Sequence, residues 1–199
     1  MTDTTSALIT GVVLAGGQAR RMGGEDKGLV TLNGRAMIGY VLDILGPQVA
    51  DILINANRNI ERYQTYGYRV ISDVHGDFSG PLAGMAAAMR AASTPYIVTV
   101  PCDSPLLPKD LVARLYRTLQ HAGAEISVAH DGNRMQPVFA LLQCGLLSSL
   151  EAFLDRGERK IDQWYAQHRV AQADFSAQPE AFINVNTPIE RDALAARLA

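Results

Sequence analysis

Cysteine and long apolar runs are scarce in this chain, and each shortage excludes a class of protein. Cys102 and Cys144 are the two cysteines, too few for the disulfide framework of a small secreted protein and too far apart for a zinc site. No apolar run approaches the ~20 residues that a membrane-spanning helix needs. Residues 1–8 contain no lysine or arginine, whereas a signal peptide begins with such charges. We therefore expect a cytoplasmic protein that does not bind a membrane.

A basic excess is also lacking, which argues against a protein that binds nucleic acid. Lysine and arginine total 18 and aspartate and glutamate total 20, so the net charge is −2. Proteins that bind duplex nucleic acid normally carry clustered positive charge. Any polyanionic ligand must therefore be held by a few local groups rather than by a broad basic surface.

The composition is typical of one compact α/β domain over residues 1–199. Of these residues 48% are hydrophobic and 19% are charged, a balance unlike that of disordered chains. Short β-branched runs alternate with helical patterns, which predicts a mostly parallel, doubly wound (Rossmann-like) sheet with helices on both faces. The strands are predicted at residues 8–15, 52–54, 68–71 and 96–100, and the helices at 37–45, 82–92 and 108–120.

The C-terminal part of the chain is less regular. Its patterns predict strands at 126–129, 138–142 and 181–185, and helices at 146–154 and 188–198. Asn184 and Asn186 alternate on the last of these strands, so both are expected to face one side. We favour the side that carries the ligand site over the side that faces solvent.

Polar or glycine residues follow four of the predicted strands. They are Gly16-Gly17, Asn55, Asp73 and Asp103. In a doubly wound fold, ligands bind beyond the carboxyl ends of the parallel strands. These residues are therefore candidates for one common site.

The segment 14–28, with the sequence LAGGQARRMGGEDKG, is a glycine-rich loop after a strand. It is neither a P-loop, since no serine or threonine follows Lys27, nor the dinucleotide fingerprint, because its glycine spacing differs. Glycines let backbone N–H groups approach phosphate oxygens closely. Arg20, Arg21 and Lys27 supply cations that suit a triphosphate, so the segment predicts a phosphate-binding loop.

The segment GPLAG, residues 80–84, precedes a predicted helix. The free N–H groups of a helix N-terminus favour an anion, although a proline-started helix needs no ligand to explain it. Because the segment closely follows Asp73, we favour substrate contact for Gly80, Pro81, Leu82 and Gly84.

The loop and its companion motifs resemble the molybdenum cofactor guanylyltransferase family of nucleotidyltransferases. The resemblance spans residues 10–188, nearly the whole chain. The glycine-rich loop alone is shared by many cytidylyltransferases and sugar-nucleotide enzymes, whereas the further motifs narrow it. These motifs are INAN (54–57), ISD (71–73), GPLAG (80–84), PCDSP (101–105), HDG (130–132) and NVNTP (184–188).

The resemblance implies transfer of GMP from GTP and Mg²⁺ to the terminal phosphate of molybdenum-bound molybdopterin, with pyrophosphate released. It implies nucleotide binding by residues 8–120 and molybdopterin binding by 121–199. The nucleotide residues would be Leu14, Ala15, Gly16, Gly17, Lys27, Asn55, Asp73, Gly80, Pro81, Leu82 and Asp103. Asp103 would also bind the metal, and Arg21, Lys27 and Asp103 would be catalytic. The molybdopterin residues would be Gly84, Arg159, Asn184 and Asn186.

The implied chemistry needs charge neutralisation more than it needs a base. The attacking phosphate oxygen is already ionised at pH 7, but two unit charges ~4 Å apart at an effective dielectric constant of ~20 repel by ~4 kcal/mol. Arg20, Arg21, Lys27 and a magnesium carboxylate at Asp103 would offset this repulsion.

Alternative functions stay open at this point. The chain could be a cytidylyltransferase for the same cofactor, a sugar-1-phosphate nucleotidyltransferase, or a cofactor carrier without catalysis. We expect a monomer, with other cofactor-biosynthesis proteins and chaperones of apo-molybdoenzymes as further partners.

Overall fold

The computed structural model describes residues 5–17, 26–74, 80–184 and 188–197. In these residues nine strands are present: β1 (Ile9–Leu14), β2 (Thr31–Leu32), β3 (Arg35–Ala36), β4 (Asp51–Asn55), β5 (Arg69–Ile71), β6 (Tyr96–Pro101), β7 (Ile126–His130), β8 (Met135–Gln143) and β9 (Val170–Asp174). The helices are α1 (Met37–Leu45), α2 (Ile60–Gln64), α3 (Pro81–Ala91), α4 (Leu111–Ala122), α5 (Leu147–Asp155), α6 (Ile161–Tyr165) and α7 (Pro188–Arg197).

Seven of the described strands form one sheet in the order β5-β4-β1-β6-β8-β7-β9, while β2 and β3 form a separate hairpin. Strands β5, β4, β1 and β6 are parallel to one another. Strand β8 runs antiparallel to both β6 and β7, and β9 is parallel to β7. The predicted α/β fold with a mostly parallel sheet is therefore confirmed, and both halves of the chain contribute strands to the sheet.

The central strand β1 is buried on both faces because helices cover each side of the sheet. Val13 belongs to the core on the side of α1 and α4, whereas its neighbour Val12 belongs to the core on the side of α3, α5 and α6. Successive strand side chains point to opposite faces, so a run of apolar residues feeds two cores. This burial fixes the strand register from which the candidate site projects.

Helices α1 and α3 form close to where their sequence patterns predict them, and α4 begins later than predicted. Helix α4 starts at Leu111 instead of residue 108, with Asp110 at its N-cap. Leu111, Leu115 and Leu119 still share its buried face, as their spacing of four requires. None of the described helices combines the length and the apolar character that crossing a bilayer requires.

The prediction of a strand at 181–185 is wrong. Residues Pro179–Phe182 form a short 3-10 turn, and residues 183 and 184 have no regular structure. Phe182 packs edge-to-face on Phe139 and Phe175, with ring centroids 4.9 Å and 5.4 Å away. Its hydrophobic side chain is therefore buried by ring packing instead of strand pairing. The strand that closes this side of the sheet is β9.

Candidate active site

The carboxyl ends of the parallel strands meet at one edge of the sheet. Leu14 pairs with both Asn55 and Pro101, and Asn55 pairs in turn with Ile71. Because the register aligns the last residues of four strands, the loops that follow them begin side by side. The residues predicted from the sequence to follow the strands lie at this edge: Gly16, Asn55, Asp73 and Asp103.

Two asparagines hold the carboxylate of Asp73. Asn55 Nδ2 donates to Asp73 Oδ1 at 2.9 Å, and Asn57 Nδ2 donates to Asp73 Oδ2 at 2.7 Å. The backbone N–H of Asp73 donates to Asn57 Oδ1 at 2.9 Å. Each carboxylate oxygen therefore accepts a hydrogen bond from an amide N–H, which fixes the orientation of the group. Asn57 belongs to the INAN motif but was not among the predicted site residues.

Two glycines allow the backbone to approach this cluster, which we call the Asn–Asp cluster (Asn55, Asn57 and Asp73). A Cβ on Gly16 would lie 3.1 Å from Asn57 Nδ2. A Cβ on Gly84 would lie 2.8 Å from Leu14 Cδ2 and closer still to Asn55 Oδ1. Gly84 thus lets α3 pack directly on the strand ends, and the structure places this residue against Asn55 and Leu14.

Lys27 and Asp103, 76 residues apart in the chain, form an ion pair. Lys27 Nζ donates to Asp103 Oδ2 at 3.0 Å, and the side chains are 26% and 8% exposed. Lys27 begins a short 3-10 turn whose Gly28 packs on Cys102, the residue before Asp103. The structure therefore brings together the lysine and the carboxylate that the sequence predicted to act on phosphate and metal.

Asp103 suits a magnesium ion that is shared with a ligand. Within the described ranges, no group of three or more His, Cys, Asp or Glu side chains is placed to hold a metal. A cation at Asp103 would thus complete its coordination with water and ligand oxygens. Mg²⁺ behaves in this way, since it keeps several waters and often takes one or two carboxylates plus substrate phosphates.

The thiol next to this carboxylate is buried and free. Burial, followed by the charge of Asp103, raises the pKa of the Cys102 thiol well above its usual range. The thiol is therefore neutral at pH 7, and it serves as the surface on which Gly28 packs. Cys144, the second cysteine, is half-buried and also free.

The GPLAG segment begins α3 as predicted. Gly80 has a φ of +75°, in the region that glycine favours, and Pro81 is the first helical residue. The Leu82 side chain is buried in the core, so only its backbone can reach a ligand. Gly17, in the loop after β1, is exposed.

The predicted molybdopterin residues are only partly brought to the site. Ser104 Oγ donates to Asn184 Oδ1 at 2.5 Å, which places Asn184 beside Asp103 although it does not lie on a strand. Arg159 is exposed, and its Nη1 donates to the carbonyl oxygens of Leu154 and Glu158, each at 2.7 Å. Arg159 therefore caps the C-terminal turn of α5 rather than joining the Lys27–Asp103 pair.

Three predicted site residues lie outside the described residues: Arg20, Arg21 and Asn186.

Nucleotidyltransferases are the class of protein that this sheet indicates, with the Lys27–Asp103 pair at its polar carboxyl edge. The family described as "MobA-like NTP transferase domain" matches residues 11–172. The chain belongs to this family.

Two relatives that share one name match nearly the whole chain. The molybdenum cofactor guanylyltransferase of Shewanella sp. strain MR-4 is 56% identical over 193 residues, which are 97% of this chain and 98% of that protein. The protein of that name from Shewanella sediminis is 55% identical over 194 residues, 98% of this chain and 99% of its own.

A solved structure shows the same fold. Molybdopterin-guanine dinucleotide biosynthesis protein A from Archaeoglobus fulgidus matches with a TM-score of 0.78 and 23% identity. The match covers 95% of this chain and 98% of that one.

Substituting Gly84→Ala should destabilise the fold at this edge. The added methyl group would collide with Asn55 and Leu14, so we expect the free energy of unfolding to fall by ~1–3 kcal/mol. Gly145→Ala is the matched control, because its Cβ would meet no atom within 4 Å. Urea unfolding followed by the fluorescence of the buried Trp164 measures both. Equal stability of the two variants would contradict the close packing of α3 on Asn55.

Proposed function

We propose that the chain transfers GMP from GTP to the terminal phosphate of molybdenum-bound molybdopterin and releases pyrophosphate. The observation that carries this proposal is the 3.0 Å contact of Lys27 with Asp103 at the sheet edge that also holds the Asn–Asp cluster. The family of the chain and the names of relatives that are 55–56% identical support it.

The nucleoside would bind at the Asn–Asp cluster and the backbone of residues 14–17. Gly16 leaves the approach to Asn55 and Asn57 free of a side chain. The cluster presents amide and carboxylate groups with fixed orientation, which are the groups that recognise a purine or a ribose by hydrogen bonds. Gly80, Pro81 and Leu82 would contribute backbone groups at the N-terminus of α3.

Lys27 and Asp103 would act on the triphosphate. In the structure, Lys27 neutralises the Asp103 carboxylate. Asp103 would hold Mg²⁺, and Lys27 would then be available to pair with a phosphate oxygen. The metal ion supplies Lewis acidity to the phosphate oxygens that it touches. Arg21 would add a second protein cation.

The reaction requires in-line positioning of two anions, and it requires no general base. The acceptor phosphate oxygen is ionised at neutral pH, so no proton must leave it. The repulsion between the acceptor and the triphosphate is of the order of several kcal/mol. Lys27, whose side chain is 26% exposed, would offset this repulsion more effectively than a fully solvated cation.

Molybdopterin would bind beside this site through residues of the C-terminal part. The hydrogen bond of Asn184 to Ser104 supports a position next to Asp103. Asn186, Arg159 and Gly84 stay predictions for this subsite. The division near residue 120, the monomeric state, the cytoplasmic location and the further protein partners stay predictions as well.

The nucleotide specificity tests the proposed activity directly. With Mg²⁺ and molybdenum-bound molybdopterin, we expect pyrophosphate release with GTP and little release with CTP, ATP or UTP. Formation of the guanine dinucleotide product, followed by chromatography, confirms the transfer. Turnover confined to CTP would indicate a cytidylyltransferase, and binding without pyrophosphate release would indicate a carrier.

Asp103→Asn should abolish metal-dependent turnover while the fold is retained. The substitution removes the charge that would hold Mg²⁺, so we expect turnover to fall by about 10²-fold or more. Binding of Mn²⁺ in the presence of GTP, observed by electron paramagnetic resonance, should be lost as well. Asp43→Asn is the control, since this carboxylate is also paired with a cation, Arg35, but on the exposed surface. Unchanged Mn²⁺ binding in the Asp103 variant would remove the metal role.

Lys27→Ala should weaken GTP binding. A hydrogen bond to a charged group contributes ~1.5–3 kcal/mol, which is a factor of about ten to a hundred in Kd. Lys109→Ala, at an exposed position, should leave Kd unchanged. Equilibrium titration with a fluorescent GTP analogue measures both variants. Equal affinity of the Lys27 variant and the unmodified chain would exclude Lys27 from the phosphate site.

A further inference from the structure

We propose that Asp26 is a positioning residue for Lys27, acting through a cluster that it forms with Tyr63, Asn59 and Arg58. This inference rests on the proposed function, because the role it assigns is to hold Lys27 where a triphosphate binds. We call these four residues the Asp26 cluster.

The carboxylate of Asp26 is buried, with 4% of its side chain exposed, and it has two hydrogen-bond donors and one cation as partners. The Tyr63 hydroxyl donates to Oδ1 at 2.5 Å, and Asn59 Nδ2 donates to Oδ2 at 3.0 Å. Arg58 Nε lies 3.7 Å from Oδ2. Burial raises the pKa of the Tyr63 phenol far above its usual value, so this hydroxyl stays a donor. A buried carboxylate with such partners is held in one orientation.

The backbone on both sides of Lys27 is fixed to the core. The Asp26 carbonyl oxygen accepts hydrogen bonds from the N–H groups of Leu29, at 2.9 Å, and of Val30, at 3.1 Å. A Cβ on Gly28 would lie only 2.7 Å from the Tyr63 hydroxyl oxygen. Tyr63 therefore contacts the residue before Lys27 through its hydrogen bond and the residue after Lys27 through packing. The Lys27 side chain itself extends to Asp103.

The short segment 55–59 contributes residues to both the Asp26 cluster and the Asn–Asp cluster. Residues 55 and 57 bind Asp73, whereas residues 58 and 59 bind Asp26. Five consecutive residues thus set the distance between the proposed nucleoside site and Lys27. A triphosphate that is held by its nucleoside needs its phosphates to meet a lysine at a fixed distance, and this loop provides it.

The carboxylate of Asp26 also lies beside Arg58, and this contact decides which variants can test the proposal. In the described part of the chain, Arg58 Nε is buried without a hydrogen-bond partner, and Asp26 is the anion beside it. Replacing Asp26 with a neutral residue would remove the anion beside this buried nitrogen, and such a variant would lose stability for reasons unrelated to Lys27. Removing one neutral donor from the cluster is therefore the more specific change.

Tyr63→Phe removes a single hydroxyl group, and Tyr165→Phe is the matched control. Tyr165 is equally buried and donates one hydrogen bond, to the Pro137 carbonyl oxygen at 2.7 Å, but it lies on the opposite face of the sheet. We expect both variants to lose similar stability. Only Tyr63→Phe should weaken GTP binding, by about fivefold, the equivalent of one ordinary hydrogen bond. Its KM for GTP should rise and its kcat should fall, because Lys27 also offsets the repulsion between the reacting phosphates, whereas neither should change in Tyr165→Phe.

A double substitution distinguishes positioning of Lys27 from direct contact with GTP. If Tyr63 acts through Lys27, Tyr63→Phe should cause no further loss of GTP affinity when Lys27→Ala is already present. Asn59→Gly is a second variant, in case Tyr63→Phe does not fold. It removes the amide donor, while glycine tolerates the left-handed backbone of residue 59 (φ +51°).

The outcomes separate this inference from the proposed function. Weaker GTP binding in Tyr63→Phe or Asn59→Gly, absent in Tyr165→Phe and absent in the Lys27→Ala background, supports positioning by the Asp26 cluster. Unchanged affinity in both cluster variants, or the same loss with and without Lys27, overturns it while the proposed function stands. An unmodified chain that fails to bind GTP overturns both.

Discussion

Lys27 and Asp103 form the ion pair around which the rest of the candidate site is arranged. Its partners come from the loop after β1 and from the end of β6, two neighbouring parallel strands. An ammonium group has to be held largely out of water to offset the repulsion between phosphates, and a buried carboxylate has to be neutralised. The pair joins a partly buried cation to a buried carboxylate with one contact at 3.0 Å, and in the proposed function a metal ion and a phosphate would each take one partner of it.

Close approach of the backbone is the second constraint. Gly16, Gly28 and Gly84 each lie against a side chain of the two clusters, and at Gly28 and Gly84 a Cβ would fall below 3.0 Å from that side chain. These glycines therefore allow close packing within the protein as much as they would leave room for a ligand. They let a helix and a turn pack on the asparagines, the tyrosine and the cysteine that orient the charged groups. Because these positions have no side chain, the two clusters are compact and their side chains are held in defined positions.

The C-terminal part shows how a regular parallel sheet changes character beyond the nucleotide edge. Strand β8 runs antiparallel, and the segment after β9 packs its phenylalanine rings into the core instead of forming a strand. Asn184 follows directly and reaches Ser104. In the proposed function, the second substrate would meet the edge of the sheet from this side, next to the groups proposed to bind the nucleotide.

Local pattern was sufficient to predict the fold class and the strand-end groups. The β-branched runs and the spacing of four in α4 depend on neighbours in the chain, and the rule that ligands bind at strand ends selected Gly16, Asn55, Asp73 and Asp103. The contacts of Asn57 with Asp73, of Tyr63 with Asp26 and of Ser104 with Asn184 were not predicted. They join residues 16, 37 and 80 positions apart. Periodicity carries no information about such pairs, because only the packing of strands and helices decides which buried polar groups meet.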